Sequence, residues 1–277
     1  MTDPLRISWS SLRTNTECKQ KGHLFRLGKQ MPGRNVRPFF HGTVCDRVMR
    51  EWLTQPEQIP GKMALMIDDF IESCEKEALE TGDGVVRWKS PTDKKDMTEF
   101  CVELVTQLEP ILSELVLPFE YEPAKRFSVP VHVPSLTGEP TCVLLVGEMD
   151  ILTRNTKSQW AIWDLKATKD NSYWRKTLGQ MVFYDLSLAA MFDDYATWTG
   201  LIQPMCKEPV LGFTFTDDDR RQMWSRIVRF ATDIWTHDIE PKKDMIDCNY
   251  CPVKHACAKF SPVNGNHMSL IGENNLL

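Results

Sequence analysis

No stretch of this 277-residue chain approaches the ~20 consecutive apolar residues that a membrane-spanning helix needs, so a helical membrane protein is not expected. The opening residues, MTDPLRISWSS, lack the apolar centre of a secretory signal. Both absences point to the cytoplasm, or to the host cytoplasm for a viral copy. There is no internal repeat. There is no excess of positive charge either: the formal net charge is −5, which removes the bulk basic signature of many nucleic-acid binders. Cysteine is not scarce, but the nine cysteines are odd in number and lie in a long chain without an export signal, so a disulfide framework is not expected. What is there is 42% hydrophobic and 26% charged, the balance of a soluble globular protein with a sizeable core. The pattern predicts one domain over residues 1–260, helical to about residue 118, and a flexible polar tail over 261–277.

Charge is unevenly spread. Residues 1–37 carry eight Lys and Arg against Asp3 and Glu17, a local net of +6. A basic segment on an acidic protein can guide a phosphate backbone locally; a solvated helical face explains the same charges equally well.

Helical signals dominate the first 120 residues. Ser8, Ser10 and Ser11 offer N-caps for a short helix carrying Leu12 and ending near Cys18. Apolar spacing predicts helices over about 38–53 and 62–79, and Ser90-Pro91 opens another that reaches about Leu115. A strand is expected over Phe119–Val133 with a break at Pro130. A hairpin follows, Val143–Leu152 and Gln159–Thr168, around a polar turn containing Asn155. Then come a helix from Tyr173 to about Met191, strands over Thr199–Met205 and Pro209–Phe215, and a helix capped by Thr216 that runs to about His237. The acids Asp217, Asp218 and Asp219 suit the positive end of that helix.

The stretch Gly147–Tyr184 carries the chemistry. Asp164 and Lys166 are two apart on a strand and project from one face, while Trp163 and Leu165 project from the other. Asp150 arrives from the partner strand. Two carboxylates and an ammonium amid apolar residues are costly to bury unpartnered. A divalent cation relieves the carboxylate repulsion. Asp150, Asp164 and a strand carbonyl, that of Leu165, are hard oxygen donors suited to Mg²⁺ or Mn²⁺. Lys166 is then placed to orient water or stabilise charge on a phosphate. Gln180 and Tyr184 are four apart and share a helix face. An ordinary Asp–Lys salt bridge on a hairpin is the plain alternative.

The set resembles the PD-(D/E)XK nuclease superfamily and, within it, the RecB-like branch. There a Gly-x-x-Asp strand, an (Asp/Glu)-x-Lys strand and a Gln-x-x-x-Tyr helix follow in this order, as Gly147–Asp150, Asp164–Lys166 and Gln180–Tyr184 do here. The resemblance implies an α/β fold of the α+β kind, with a restriction-endonuclease-like core and a central mixed sheet. It implies a metal-dependent nuclease acting on DNA, with Asp150 and Asp164 binding metal, Lys166 assisting catalysis, and Gln180 and Tyr184 touching DNA or bracing the site. Exonuclease action on single strands or ends, in recombination or repair, is the expectation. A retired DNA-binding module and a sequence-specific restriction endonuclease are the other readings. The run His41–Asp46 resembles the family's Gly-x-x-x-His motif, with Asp46 where the metal-binding His stands. Asp46 is the expected third ligand and His41 its rival. Glu122 is a weaker acidic candidate. Tyr173, Trp174 and Tyr184 are candidates to stack bases, with core packing as the alternative.

Five cysteines, Cys45, Cys74, Cys101, Cys142 and Cys206, sit singly among apolar neighbours and read as small buried hydrophobes. Cys248, Cys251 and Cys257, spaced C-x₂-C-x₅-C, call for a soft metal. Cys18, in a Glu-Cys-Lys context outside any apolar stripe, is the best fourth. This set resembles iron–sulfur nucleases of the same branch, the AddB-type subunits and CRISPR adaptation exonucleases. The resemblance implies a [4Fe–4S] cluster joining the N- and C-terminal segments; Zn²⁺ held by the trio with His255 or Cys18 is the rival. Recombination or helicase proteins are possible partners, and an oligomer is possible.

Overall fold

The computed structural model describes residues 4–27, 45, 47–51, 53–54, 67, 69, 71–73, 75–76, 80, 91–170, 172, 174–238, 240, 248, 251, 253 and 256–257. The chain divides into two compact units, one of residues 1–31, 128–146 and 221–277, the other of residues 32–127 and 147–220.

In the first unit, β1 (Leu5–Ile7) runs parallel to the first half of β3 (Pro140–Arg154), with Leu5 opposite Val143 and Ile7 opposite Leu145. This strand lies in the part expected to be helical. Three residues are too few to show a period, and β1 owes its place to the partner it finds more than a hundred residues later. Helix α1 (Trp9–Glu17) starts at Ser8, whose hydroxyl accepts from the Ser11 amide at 3.2 Å while the Ser11 hydroxyl accepts from the Ser8 amide at 3.0 Å. That reciprocal cap satisfies two donors otherwise lost at a helix start. Cys18 is extended and separates α1 from α2 (Lys19–Arg26), a second helix beyond the single one expected. The two helices meet closely where a Cβ at Gly22 would lie 2.9 Å from Asn15 Oδ1. Asn15 in turn donates to Asp233 Oδ2 at 3.0 Å, near the end of helix α5 (Asp217–Trp235).

The second unit is built on helix α3 (Pro91–Leu115), on helical residues between 45 and 54 and between 67 and 80, and on strands. Its core includes Val48, Leu53, Ile71, Leu104, Leu108 and Leu112, joined by Ile151, Trp163, Leu165 and Ile202 from the strands. The second half of β3 pairs antiparallel with β4 (Trp160–Leu165), β4 pairs parallel with β5 (Trp198–Ile202), and β5 pairs antiparallel with β6 (Val210–Phe213). Parallel neighbours need a crossover, and α4 (Trp174–Phe192) supplies it between β4 and β5. Strand order is β1-β3-β4-β5-β6, with β2 (Glu120–Pro134) on β3. The result is a mixed α/β fold with a mixed sheet, in keeping with a restriction-endonuclease-like core.

Strand β2 runs through Pro130 without the expected break. Phe127, Val129 and Val133 are buried in alternation with exposed neighbours, Pro130 among them. Among the described residues β3 is the only partner of β2, and an edge strand tolerates a missing amide on its open side. Cys45, Cys101 and Cys206 are buried as expected, Cys142 is half-buried, and Cys74 lies outside the described residues. Among the described residues, no helix is long and apolar enough to cross a membrane.

Candidate active site

The β3–β4 turn sets the register that forms the site. Asn155 Oδ1 accepts from the amides of Lys157 and Gln159, each at 2.9 Å, an Asx turn that fixes the hairpin. The ladder then runs from Arg154 opposite Trp160 to Ile151 opposite Trp163. One step further along, Asp150 and Asp164 occupy equivalent positions on the two strands. There the Leu165 amide donates to Asp150 Oδ2 at 2.8 Å, so the ladder closes on a carboxylate.

Asp164 is fully buried, and its partners account for that. Lys166 Nζ lies 2.6 Å from Oδ2, and Gln180 Nε2 donates to Oδ1 at 3.0 Å. The intervening Leu165 and the preceding Trp163 turn to the other side and join the core, the alternation expected of this strand. Trp163 lies over Gly200 of β5, where a Cβ would come within 2.4 Å of its ring, and its Nε1 donates to Thr153 Oγ1 at 3.2 Å. The Asp164 backbone is thereby held from both sides of the strand.

Helix α4 braces the carboxylate. Gln180 Nε2 also donates to the Tyr184 hydroxyl at 2.9 Å, so one amide links Tyr184 to Asp164. Burial, and then the charges of Asp164 and Asp150, raise the Tyr184 phenol far above its ordinary value, so it stays a neutral hydrogen-bonding group. The Tyr184 ring meets Phe127 edge-on at 5.9 Å. Phe127 can reach it because residue 147 is glycine: a Cβ there would lie 2.7 Å from Phe127 Cζ. The glycine of the Gly147–Asp150 motif is thus explained by a ring laid across the strand.

Basic residues flank Asp150. Arg50 Nη2 lies 3.8 Å from Asp150 Oδ1, and Arg50 Nη1 donates to Glu148 Oε1. Arg126 Nε donates to Glu148 Oε2 at 2.7 Å. Burial opposes charge on Glu148, but the hydrogen bonds from Arg126 and Arg50 outweigh it and hold the carboxyl below the usual range.

The expected residues Asp150, Asp164, Leu165, Lys166, Gln180 and Tyr184 are therefore brought together. Asp46 and His41, the expected third ligand and its rival, lie outside the described residues, as do Tyr173 and His255. Glu122 is on the surface, paired with Lys125 at 2.8 Å. Trp174 lies 6.2 Å from the Phe213 ring. Thr216 and Asp219 cap α5 reciprocally. The sequence reading missed Glu148, Arg126 and Phe127. Glu148 had a signal, since it is two residues before Asp150 and shares its strand face; the other two are supplied by a neighbouring strand.

Among the described residues, no three His, Cys, Asp or Glu side chains converge as a ready-made metal cage. Mg²⁺ does not require one, because it keeps waters and takes substrate phosphate oxygens besides one or two carboxylates. The hard donors Asp150, Asp164 and the Leu165 carbonyl fit such an ion. For a soft metal, Cys18 stands at the α1–α2 junction, the Cys251 amide donates to the Cys248 carbonyl at 3.4 Å, and Cys257 Sγ donates to Gln20 Oε1 at 3.1 Å. Gln20 follows Cys18 by two residues, yet Cys18, Cys248, Cys251 and Cys257 are all among the described residues and no three of them come together as a metal-binding group, so the expected cysteine set is not assembled here.

The profile of the PD-(D/E)XK nuclease superfamily matches residues 6–258, and the chain belongs to that superfamily. Its class is therefore the nucleases, hydrolases of nucleic acid. A comparison with curated proteins gave no match. Among solved structures, the one described as "Crystal structure of SSO0001" is similar, with 13% identity, a TM-score of 0.39, and coverage of 94% of this chain and 88% of that one.

Proposed function

We propose that the protein is a metal-dependent DNA exonuclease that hydrolyses phosphodiester bonds at single strands or ends, in DNA recombination, repair or processing. The observation that carries this reading is the buried Asp164, joined to Lys166 and Gln180 beside Asp150 at the end of the β3–β4 ladder. Asp150, Asp164 and the Leu165 carbonyl are the residues to hold Mg²⁺ or Mn²⁺, with Asp46 as a further ligand. Such an ion supplies charge neutralisation and lowers the pKa of bound water. Lys166 stabilises the attacking water or the developing charge on phosphate, from a side chain only 23% exposed, where screening is weak. Gln180 fixes the carboxylate orientation of Asp164, and Tyr184 steadies Gln180. The basic N-terminal segment favours approach of the DNA backbone.

A [4Fe–4S] cluster on Cys18, Cys248, Cys251 and Cys257 is the second element of the proposal, and it rests on the soft donors and the C-x₂-C-x₅-C spacing of the sequence. It supplies cross-linking; helicase or recombination proteins are the partners in view. Broad visible absorbance with iron and labile sulfide in anaerobically purified protein is the expected result, and a colourless zinc-loaded protein excludes it.

Digestion of end-labelled single- and double-stranded oligonucleotides tests the activity. Nucleotide release is expected with Mn²⁺ or Mg²⁺, and a closed circular substrate should resist. Asp164→Ala should abolish release while DNA binding survives; Asp164→Asn, which keeps an acceptor for Gln180, should do the same and guards against misfolding. Wild-type protein that binds DNA and releases nothing with either metal would identify a binding module instead.

A further inference from the structure

Asp150 has a companion outside the motif. Glu148 emerges from the same face of β3, is 22% exposed, and is gripped by two arginines from different elements, Arg126 of β2 and Arg50. Arg50 is shared, reaching Asp150 Oδ1 at 3.8 Å as well. Arg126 has its Nε on Glu148 and yet its side chain is 86% exposed. A guanidinium is a planar fork with five donors. One edge tied to Glu148 leaves Arg126 presenting donors outward, in a fixed direction, beside the carboxylates of the candidate site. Arg50 already pairs the half-buried Glu148, so the second pair, to an Arg126 that is 86% exposed, adds little to stability. Anion capture gives a better reason for it: bidentate Arg matches phosphate oxygens, and a pre-anchored side chain loses less freedom on binding.

We propose that Arg126 and Arg50 form a phosphate-binding arm, aimed by Glu148, that takes a backbone phosphate of the nucleic acid adjoining the one cleaved. The proposal deepens the nuclease reading and rests on it. Arg126 touches substrate; Glu148 is a positioning residue. Arg126 is already outside, and Arg50, which lies 3.8 Å from Asp150 Oδ1, would be drawn less to that carboxylate if a cation were held there.

The test uses the full chain carrying Asp164→Asn, so that bound DNA persists. Anisotropy of a labelled single-stranded oligonucleotide is followed against salt concentration. Adding Arg126→Ala should reduce the slope of log K against log[salt] by about 0.7, the value of one phosphate contact on a single strand. In the otherwise wild-type enzyme, Arg126→Ala should raise KM several-fold more than it lowers kcat, and Arg126→Lys should recover part of the binding. Glu148→Gln should lower kcat/KM without reducing the salt slope, a pattern that a fold defect does not give; unchanged thermal unfolding of each variant is the control. DNA binding with an unchanged slope in Arg126→Ala overturns the arm and leaves the nuclease reading standing. No DNA binding by the parent protein overturns both.

Discussion

Gly147 illustrates how a single missing carbon organises the site. Its open Cα lets Phe127 lie across β3, Phe127 supports Tyr184, Tyr184 is joined to Gln180, and Gln180 donates to Asp164. Gly147→Ala forces the Phe127 ring away from a Cβ that would sit 2.7 Å from Cζ and 3.0 Å from Cε1. Overpacking of this kind costs about 1–3 kcal/mol. The expected outcome is a lower Tm together with reduced nucleotide release, although residue 147 touches neither cation nor substrate. Phe127→Leu added to Gly147→Ala should restore part of the stability, because the smaller side chain leaves room for the new methyl. A double-mutant cycle measures this, and strictly additive losses would refute the contact. The sequence made Asp150, Asp164, Lys166, Gln180 and Tyr184 legible because their chemistry and spacing are local. It made Gly147 legible as part of a motif but not its reason, which is a ring twenty positions earlier. Glu148 stood in plain view and was missed for lack of its arginines, which only the fold brings to it.

Elements were readable where period and caps agreed. Helix α3 spans Pro91–Leu115, and the helix expected from Tyr173 is α4, Trp174–Phe192. The hairpin turn fell at Asn155, whose side chain does the turning. What escaped was set by partners: β1 by its parallel neighbour β3, and the continuity of β2 by its place at an edge. Helix α5 offers a test at this scale. The Thr216 hydroxyl accepts from the Asp219 amide at 3.3 Å, and Asp219 Oδ2 accepts from the Thr216 amide at 2.8 Å and from its hydroxyl at 2.6 Å. Thr216→Ala should cost about 1 kcal/mol, the usual value of an N-cap, read from denaturant unfolding. The hydrogen bonds from the Thr216 side chain and backbone lower the Asp219 carboxyl below its ordinary 3.8. A carboxyl with a depressed folded value stabilises the fold above the unfolded value and loses that contribution as pH falls through the folded one. The stability gap between wild type and Asp219→Asn should therefore be constant near neutrality and shrink below pH 3.8; a gap that widens in acid would contradict the cap.

At the scale of the whole molecule, a chain of net charge −5 has to meet a polyanion through local cationic groups and bound cations. The first unit contains residues 1–31 of the basic opening segment, Cys18 and the late cysteines. Lys19, next to Cys18, pairs with Asp233 at 2.8 Å and with Asp238, and hydrogen bonds to Asp233 and Asp238 raise its ammonium above the ordinary value. The Asp238 pair is exposed and contributes little, whereas Asp233 is buried and its pair with Lys19 helps to hold the segment. A metal cluster shared by Cys18 and Cys248 would close a loop of some 230 residues, and chain-entropy reasoning sets the ceiling for such a cross-link at roughly 5 kcal/mol. Cys18→Ser should therefore bleach the protein, lower its iron content and reduce its unfolding free energy by an amount that approaches this ceiling. Cys142→Ser, a half-buried thiol on β3, should keep both colour and iron. Iron analysis and denaturant unfolding of the two variants read the difference. Full iron and wild-type stability in Cys18→Ser would remove the first cysteine from the ligand set and with it the fastening of the N-terminal segment, while leaving the carboxylate site of the second unit untouched.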